Sequence, residues 1–228
     1  SMMGPARFAD RRAAGRELAG AVAALRLSRP VVLALPRGGV PVGYEVARML
    51  HAPLDILMVR KIGAPGHAEY GIGALVDGAS PRIVIDAHSA RMTGATREYI
   101  DAEVDRQRAE IERRRALYRT GAPAALKGRD VIVVDDGIAT GGTVRAALQA
   151  LAQAEPARIV LAVPVAPAEV VGPLGALCDD VICLYAPSLM RAVGLHYENF
   201  DQTEDEEVIR LLADAASHGA GGSAITTT

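Results

Sequence analysis

Val131-Ile132-Val133-Val134-Asp135-Asp136-Gly137-Ile138-Ala139-Thr140-Gly141-Gly142-Thr143 is the stretch from which the rest of the chain can be read. Its four β-favouring apolar residues predict a strand buried on both faces, as in a parallel sheet. Val144 to Leu151 then predicts a helix. The small residues between them let the backbone approach a ligand closely. Thr140, Thr143 and the N–H groups opening the helix make a nest for a phosphate. Asp135 and Asp136 fall at the carboxyl end of the strand, where open α/β sheets bind ligands. Paired carboxylates suit vicinal hydroxyls, so acids and nest together describe a sugar-phosphate site.

Neighbouring motifs fail on particular residues. The spacing of Gly137 and Gly142 matches a P-loop, but Thr143 stands where that loop needs lysine. A dinucleotide fingerprint needs glycines spaced G-x-G-x-x-G, which this segment lacks. A flavodoxin-like phosphate loop accounts for Thr-Gly-Gly-Thr but leaves the two acids unexplained. An ordinary strand and turn would bury two unpaired carboxylates at a cost.

The segment resembles the phosphoribosyl-pyrophosphate (PRPP) signature of type I phosphoribosyltransferases, and the resemblance runs over roughly residues 30 to 200. It implies that Asp135 and Asp136 hold the ribose 2′- and 3′-hydroxyls. Ala139, Thr140, Gly141, Gly142 and Thr143 would cradle the 5′-phosphate. It also implies nucleotide-salvage chemistry in which a nitrogen acceptor, a nucleobase, displaces pyrophosphate. Mg²⁺ would be carried by PRPP, with Asp135 and Asp136 reaching it through water and no direct protein ligand. Salvage enzymes for 6-oxopurines begin the phosphate loop with an aspartate. Ala139 stands there instead, as in adenine-type enzymes, without fixing adenine as the acceptor.

Pro36-Arg37-Gly38-Gly39 lies between a strand (Val31 to Leu35) and a helix (Val42 to Leu50). By itself it reads equally as a tight turn with a surface arginine. By resemblance it is the pyrophosphate loop, with charge from Arg37 and N–H groups from Gly38 and Gly39. Leu54 to Val59 predicts a second strand. Arg60 to Gly71 follows as a glycine-rich loop, which by resemblance is a mobile lid. Arg60 and Lys61 at its base would neutralise the leaving group, and Glu69 and His67 are the titratable groups it could carry in. A solvated loop histidine is the plainer reading of His67. Tyr197 and Phe200 concentrate aromatic character in a chain with only 4% aromatics. Either they stack on a base from a hood, or they pin the C-terminal segment to the domain.

The fold expectation is α/β, type I phosphoribosyltransferase-like: a parallel sheet flanked by helices on both faces, with a hood and a hairpin plus long-helix insertion. One domain would cover residues 1–218, with a core near 30–186, a hood near 187–203 and a disordered tail at 219–228. An amphipathic helix over residues 10–27 opens the chain. Ile72 to Val76 and Arg82 to Ile85 predict a hairpin about Asp77 to Pro81. The long charged helix, about Gly94 to Arg119, carries an apolar stripe of Ile100, Val104, Ile111 and Tyr118, and an i,i+4 pair of Glu110 and Arg114. Its basic second half is interrupted by acids, so a solvated face or a homodimer contact outranks RNA binding.

The chain has 228 residues and a net charge of −2, which gives no general attraction to nucleic acid. No run approaches a membrane span and no signal peptide is visible, so a cytoplasmic protein is expected. Cys178 and Cys183 are too few for a cysteine zinc site. A protein that senses PRPP without turning it over shares all of these features, as does a phosphoribosyl hydrolase.

Overall fold

The computed structural model describes residues 5–78 and 81–225. Helix α1 (Arg11–Ala23) leads into strand β1 (Pro30–Ala34), helix α2 (Gly39–Leu50) and strand β2 (Leu54–Ile56). Three strands follow: β3 (Val59–Ala64), β4 (His67–Val76) and β5 (Arg82–Ile85). A short helix α3 (Ala87–Met92) precedes the long helix α4 (Arg97–Tyr118). The chain then alternates through β6 (Asp130–Val134), α5 (Gly142–Ala152), β7 (Arg158–Val165), α6 (Ala168–Gly175) and β8 (Asp180–Tyr185). A single 3₁₀ turn (Val193–His196) and helix α7 (Asp205–Ile225) close it.

Strands β2, β1, β6, β7 and β8 form, in that order, a sheet whose pairings are all parallel. Side-chain alternation divides its residues between two cores. Val31, Leu33, Val131 and Val133 pack with Leu148 and Leu174 from α5 and α6. Val32, Ile132 and Val134 pack with Leu18, Val22, Val42 and Val46 from α1 and α2. Both faces are therefore covered, which explains why β6 reads as a continuous apolar run. The expected parallel sheet with helices on both faces is what the chain forms. No helix among the described residues is long and apolar enough to cross a membrane.

The insertion differs from its expectation. Leu54 to Val59 is not one strand, because the backbone changes partners at Leu57 and Met58. The Leu57 N–H donates to the Ala34 carbonyl in the parallel sheet (2.9 Å), and the Met58 N–H donates to Asp77 Oδ1 at the end of β4 (2.8 Å). Arg60 to Gly71 is not an open loop either. It is most of an antiparallel hairpin, β3 against β4, and β5 completes a three-stranded sheet. Ile62 and Ile72 are fully buried in a third core with Val104, Ile111 and Tyr118 of α4, so the hairpin has a reason to stay folded. Two of its glycines serve close backbone contact: a Cβ on Gly63 would lie 2.3 Å from the Ala68 carbonyl oxygen, and one on Gly73 2.3 Å from that of Val84. The β4–β5 hairpin forms as expected, with Ala79 and Ser80 of its turn outside the described residues.

Helix α7 begins near its expected start but continues to Ile225, through much of the segment expected to be disordered. Residues 226–228 of that segment lie outside the described residues.

Candidate active site

The site begins where β6 ends. The Asp136 N–H donates to Asp135 Oδ1 (2.8 Å), which fixes the first carboxylate against its own backbone. Asp136 turns the other way, and its Oδ2 accepts from Arg11 Nε (2.9 Å) in a pair only 12% and 15% exposed. Arg11 also donates to the Asp201 carbonyl (2.6 Å) and lies over the Phe200 ring, 4.0 Å from its centroid. The two acids therefore differ. Asp136 has a cation, while burial and the neighbouring Asp136 charge push Asp135 well above the usual carboxylate range.

Beyond the acids the chain turns through Gly141 (φ +87°) into α5, which has no side-chain N-cap. Thr140, Gly142 and Thr143 are exposed there. An uncapped, solvent-facing helix start leaves backbone N–H groups for an anion. The loop after β1 faces the same acids and contains a cis peptide between Pro36 and Arg37. A Cβ on Gly38 would sit 2.2 Å from Asp136 Oδ2, and one on Gly39 2.9 Å from the Val134 carbonyl oxygen. Side chains are excluded at both positions, so the loop backbone and the acid pair form a single wall.

A cavity of about 280 Å³ opens on this wall, lined by Leu35, Pro36, Leu57, Met58, Val59, Arg60, Arg114, Asp135 and Thr143. It brings together the ends of β1 and β6, the β2–β3 junction, the start of α5 and one residue of α4. Of the residues expected to act on the leaving group, Arg60 lines it, held by a hydrogen bond from Nε to Gln107 Oε1 (2.9 Å). Arg37 reaches toward Asp205 of α7 (3.7 Å). Lys61 donates across the hairpin to the Glu69 carbonyl, away from the cavity. Glu69 and His67 line a different, open cavity with Ala68, Tyr70 and Thr93.

Tyr197 is 4% exposed and packs against Phe8 (centroids 5.5 Å apart) and Phe200 (5.0 Å). Its hydroxyl donates to the Asp136 carbonyl (2.6 Å). The geometry supports the pinning role for this residue: burial and two aromatic neighbours leave it no room to stack on a base. Phe200 likewise has Arg11 on its ring.

Two contributors escaped the sequence reading. Arg11 lies 125 positions from Asp136, and no local pattern announces the pair. Arg114 was visible only as the partner of Glu110, a pairing that does form (2.9 Å). Its signal lay in the helix itself. Ile100, Val104, Gln107, Ile111, Arg114 and Tyr118 recur at alternating spacings of four and three, the seam of a packed helix. Gln107 and Arg114 are the two polar residues in that seam.

The phosphoribosyl transferase domain model matches residues 8–188. A Mycobacterium tuberculosis protein provisionally named a phosphoribosyl transferase, present in two strains, is 43% identical over 219 residues. The alignment covers 96% of this chain and 49% of that protein, so the chain spans about half the length of these relatives. A solved Thermus thermophilus structure superposes with a TM-score of 0.80 at 45% identity, covering 91% of this chain and 98% of the other. With a family model spanning most of the sheet and both walls of the cavity, the chain belongs to the phosphoribosyl transferase family.

Proposed function

We propose that this chain transfers the phosphoribosyl group of PRPP to a nitrogen acceptor, a nucleobase, with release of pyrophosphate. The observation that carries the reading is the shared cavity wall: Asp135, the open start of α5 at Thr143 and the Pro36 loop meet within one small volume. In this reading Asp135 and Asp136 bind the ribose hydroxyls, and Ala139 to Thr143 bind the 5′-phosphate. The loop from Pro36 to Gly39 lies along the pyrophosphate. Displacement at the anomeric carbon passes through an oxocarbenium-like transition state, so the protein's work is to orient, neutralise and exclude water.

Magnesium fits as an ion that arrives with PRPP. Among the described residues no group of three or more His, Cys, Asp or Glu side chains forms a metal cage. The two carboxylates already hold a backbone N–H and Arg11, which suits contact through water. When bound, the ion offsets charge on the pyrophosphate. Cys178 and Cys183 are free thiols, both raised by burial, as suits a reducing cytoplasm.

One observation favours a second reading, a PRPP sensor without turnover: Lys61 and Glu69 stand apart from the cavity. The test begins with PRPP and Mg²⁺ in a thermal melt. Ligand at one hundred times its dissociation constant stabilises by about 2.7 kcal/mol. Replacing Asp135 and Asp136 together by Asn is expected to weaken PRPP binding by about 100-fold or more, since each charged hydrogen bond contributes about 1.5–3 kcal/mol. No melting shift at millimolar PRPP overturns the site. Pyrophosphate release is then measured across adenine, guanine, hypoxanthine, xanthine, uracil and orotate. Binding without release from any base favours the sensor.

A further inference from the structure

We propose that Arg114, on the inserted helix α4, is a fixed guanidinium that binds the pyrophosphate group of PRPP. The inference rests on the reading of the cavity as a PRPP site and assigns its leaving-group end to a helix rather than to a moving loop.

Four observations carry it. First, Arg114 lines the cavity together with Asp135, Thr143 and Pro36, so its side chain shares the space a phosphoribosyl ligand would fill. Second, it occupies a seam position of α4, between buried Ile111 (6% exposed) and buried Tyr118 (1%). Its own side chain is 36% exposed, so a packed helix position presents the guanidinium to solvent and to the cavity. Third, its Nε is committed to Glu110 Oε1 (2.9 Å), a carboxylate held at about 2 by Arg113 and Arg114. That bond orients the guanidinium, and its two terminal nitrogens make no hydrogen bond among the described residues. Fourth, it has company. Arg60 is held on the same cavity by Gln107, the other polar seam residue.

The chemistry matches a diphosphate. A guanidinium donates in a planar fork suited to phosphate oxygens, and two such groups on one wall can share the charge of a pyrophosphate. The helix that carries Arg114 is also immobilised next door. Arg115 is 13% exposed and bonds Asp77 (2.7 Å), Asp55 (3.3 Å) and the Ile56 carbonyl (3.0 Å), which ties α4 to both sheets. Arg115 is thus a positioning residue, and Arg114 the one that would touch substrate.

Calorimetry on the full chain tests the assignment, with Mg²⁺-pyrophosphate and ribose 5-phosphate as separate titrants. Arg114→Gln is expected to weaken pyrophosphate binding about tenfold or more, the scale of a lost charge-assisted bond, while ribose 5-phosphate binds as before. Arg114→Lys keeps the charge without the fork and is expected to fall between. Arg106→Gln, exposed on the same helix, serves as the control. Unchanged pyrophosphate affinity in folded Arg114→Gln overturns the inference and leaves the PRPP reading standing. Equal loss of both ligands overturns it too, as a merely structural effect. If Arg114→Gln fails to fold, Arg114→Lys decides by the same comparison. Wild type binding neither titrant overturns the PRPP reading and this inference with it.

Discussion

The parallel sheet and the antiparallel insertion border the same cavity and are built on different principles. On the sheet side, the groups proposed to bind ligand follow one another along the chain: Asp135, Asp136 and the loop to Thr143 are contiguous with the strand that places them. On the insertion side, Arg60 and Arg114 belong to different elements and meet only because β3 and α4 pack. The sheet side offers carboxylates and backbone N–H groups, and the insertion offers guanidinium groups. A contiguous motif places its groups whenever the strand forms. A packed helix places them only while its register holds, so the insertion is where mutation should separate binding of one end of the ligand from the other.

The largest effect that could break this comparison comes from the anchor of α4. Arg115→Ala strands Asp77 (4% exposed side chain) and Asp55 without their cation. Removing one partner of a buried pair costs about 3–5 kcal/mol, or a fall in Tm of more than about 6 °C for a chain of this size. A thermal melt measures it. Surviving folded protein is expected to lose affinity for pyrophosphate more than for ribose 5-phosphate. Equal losses would show that the two sides are not separable.

A smaller effect sharpens the contrast between helix and hairpin. Lys61 holds the hairpin's own backbone at an exposed position. Lys61→Ala is therefore expected to slow pyrophosphate release by about fivefold at most, the scale of an exposed charge. A drop of about 100-fold, the mark of a group acting on transition-state charge, would mean that the hairpin swings over the cavity during turnover.

The smallest expected effect compares the two acids. Asp135 has its carboxyl raised in the folded chain by burial and by Asp136. A raised folded value gives stability that is fully present below the unfolded value, about 3.9, and lost as pH rises through the folded one. Asp135→Asn cannot ionise and keeps the side-chain oxygen that accepts the Asp136 N–H. Its Tm is expected to match wild type near pH 3 and to exceed it progressively at higher pH. Asp136→Asn, which instead strands Arg11, is expected to be less stable than wild type at neutral pH. Melts from pH 3 to 8 compare them, and identical pH profiles would erase the distinction between the two carboxylates.

What the sequence made legible divides along the same line. Val131 to Val134 and Arg158 to Val165 could be read as strands because burial on both faces leaves no polar alternation to confuse them, and the half-buried edge strand Asp180 to Tyr185 because of its short apolar run. The acid pair and the Thr-Gly-Gly-Thr loop could be read because their chemistry is local. The hairpin reads as a loop in the sequence because Gly63, Gly66, Gly71 and Gly73 look like flexibility, whereas Gly63 and Gly73 are contact points between neighbouring backbones. Arg114 hid in a charged run whose neighbours Arg113 and Arg108 are exposed, and only its spacing from Ile111 and Tyr118 distinguished it. Tyr197 reads equally as a base platform or a pin because, of its two packing partners, Phe200 lies three residues after it but Phe8 lies 189 before it, beyond local view.

The clasp between residues 8–11 and residues 196–201 has a consequence for biosynthesis. Phe8 donates its N–H to the His196 carbonyl (3.0 Å), and its own carbonyl accepts from Glu198 (2.8 Å). Arg11, the first residue of α1, reaches Asp136 and is held at the Asp201 carbonyl. A nascent chain that has emerged only as far as β8 already contains both acids and the phosphate loop. It lacks the Phe200 ring and the Asp201 carbonyl that seat Arg11 beside Asp136, because residues 196–201 are still inside the ribosome. Such contacts, separated by nearly the whole chain, form late in folding. The acid pair is thus completed only once residues 196–201 have been made, and a chain cut before them would display the signature motif with Asp136 lacking the hood that steadies its cation.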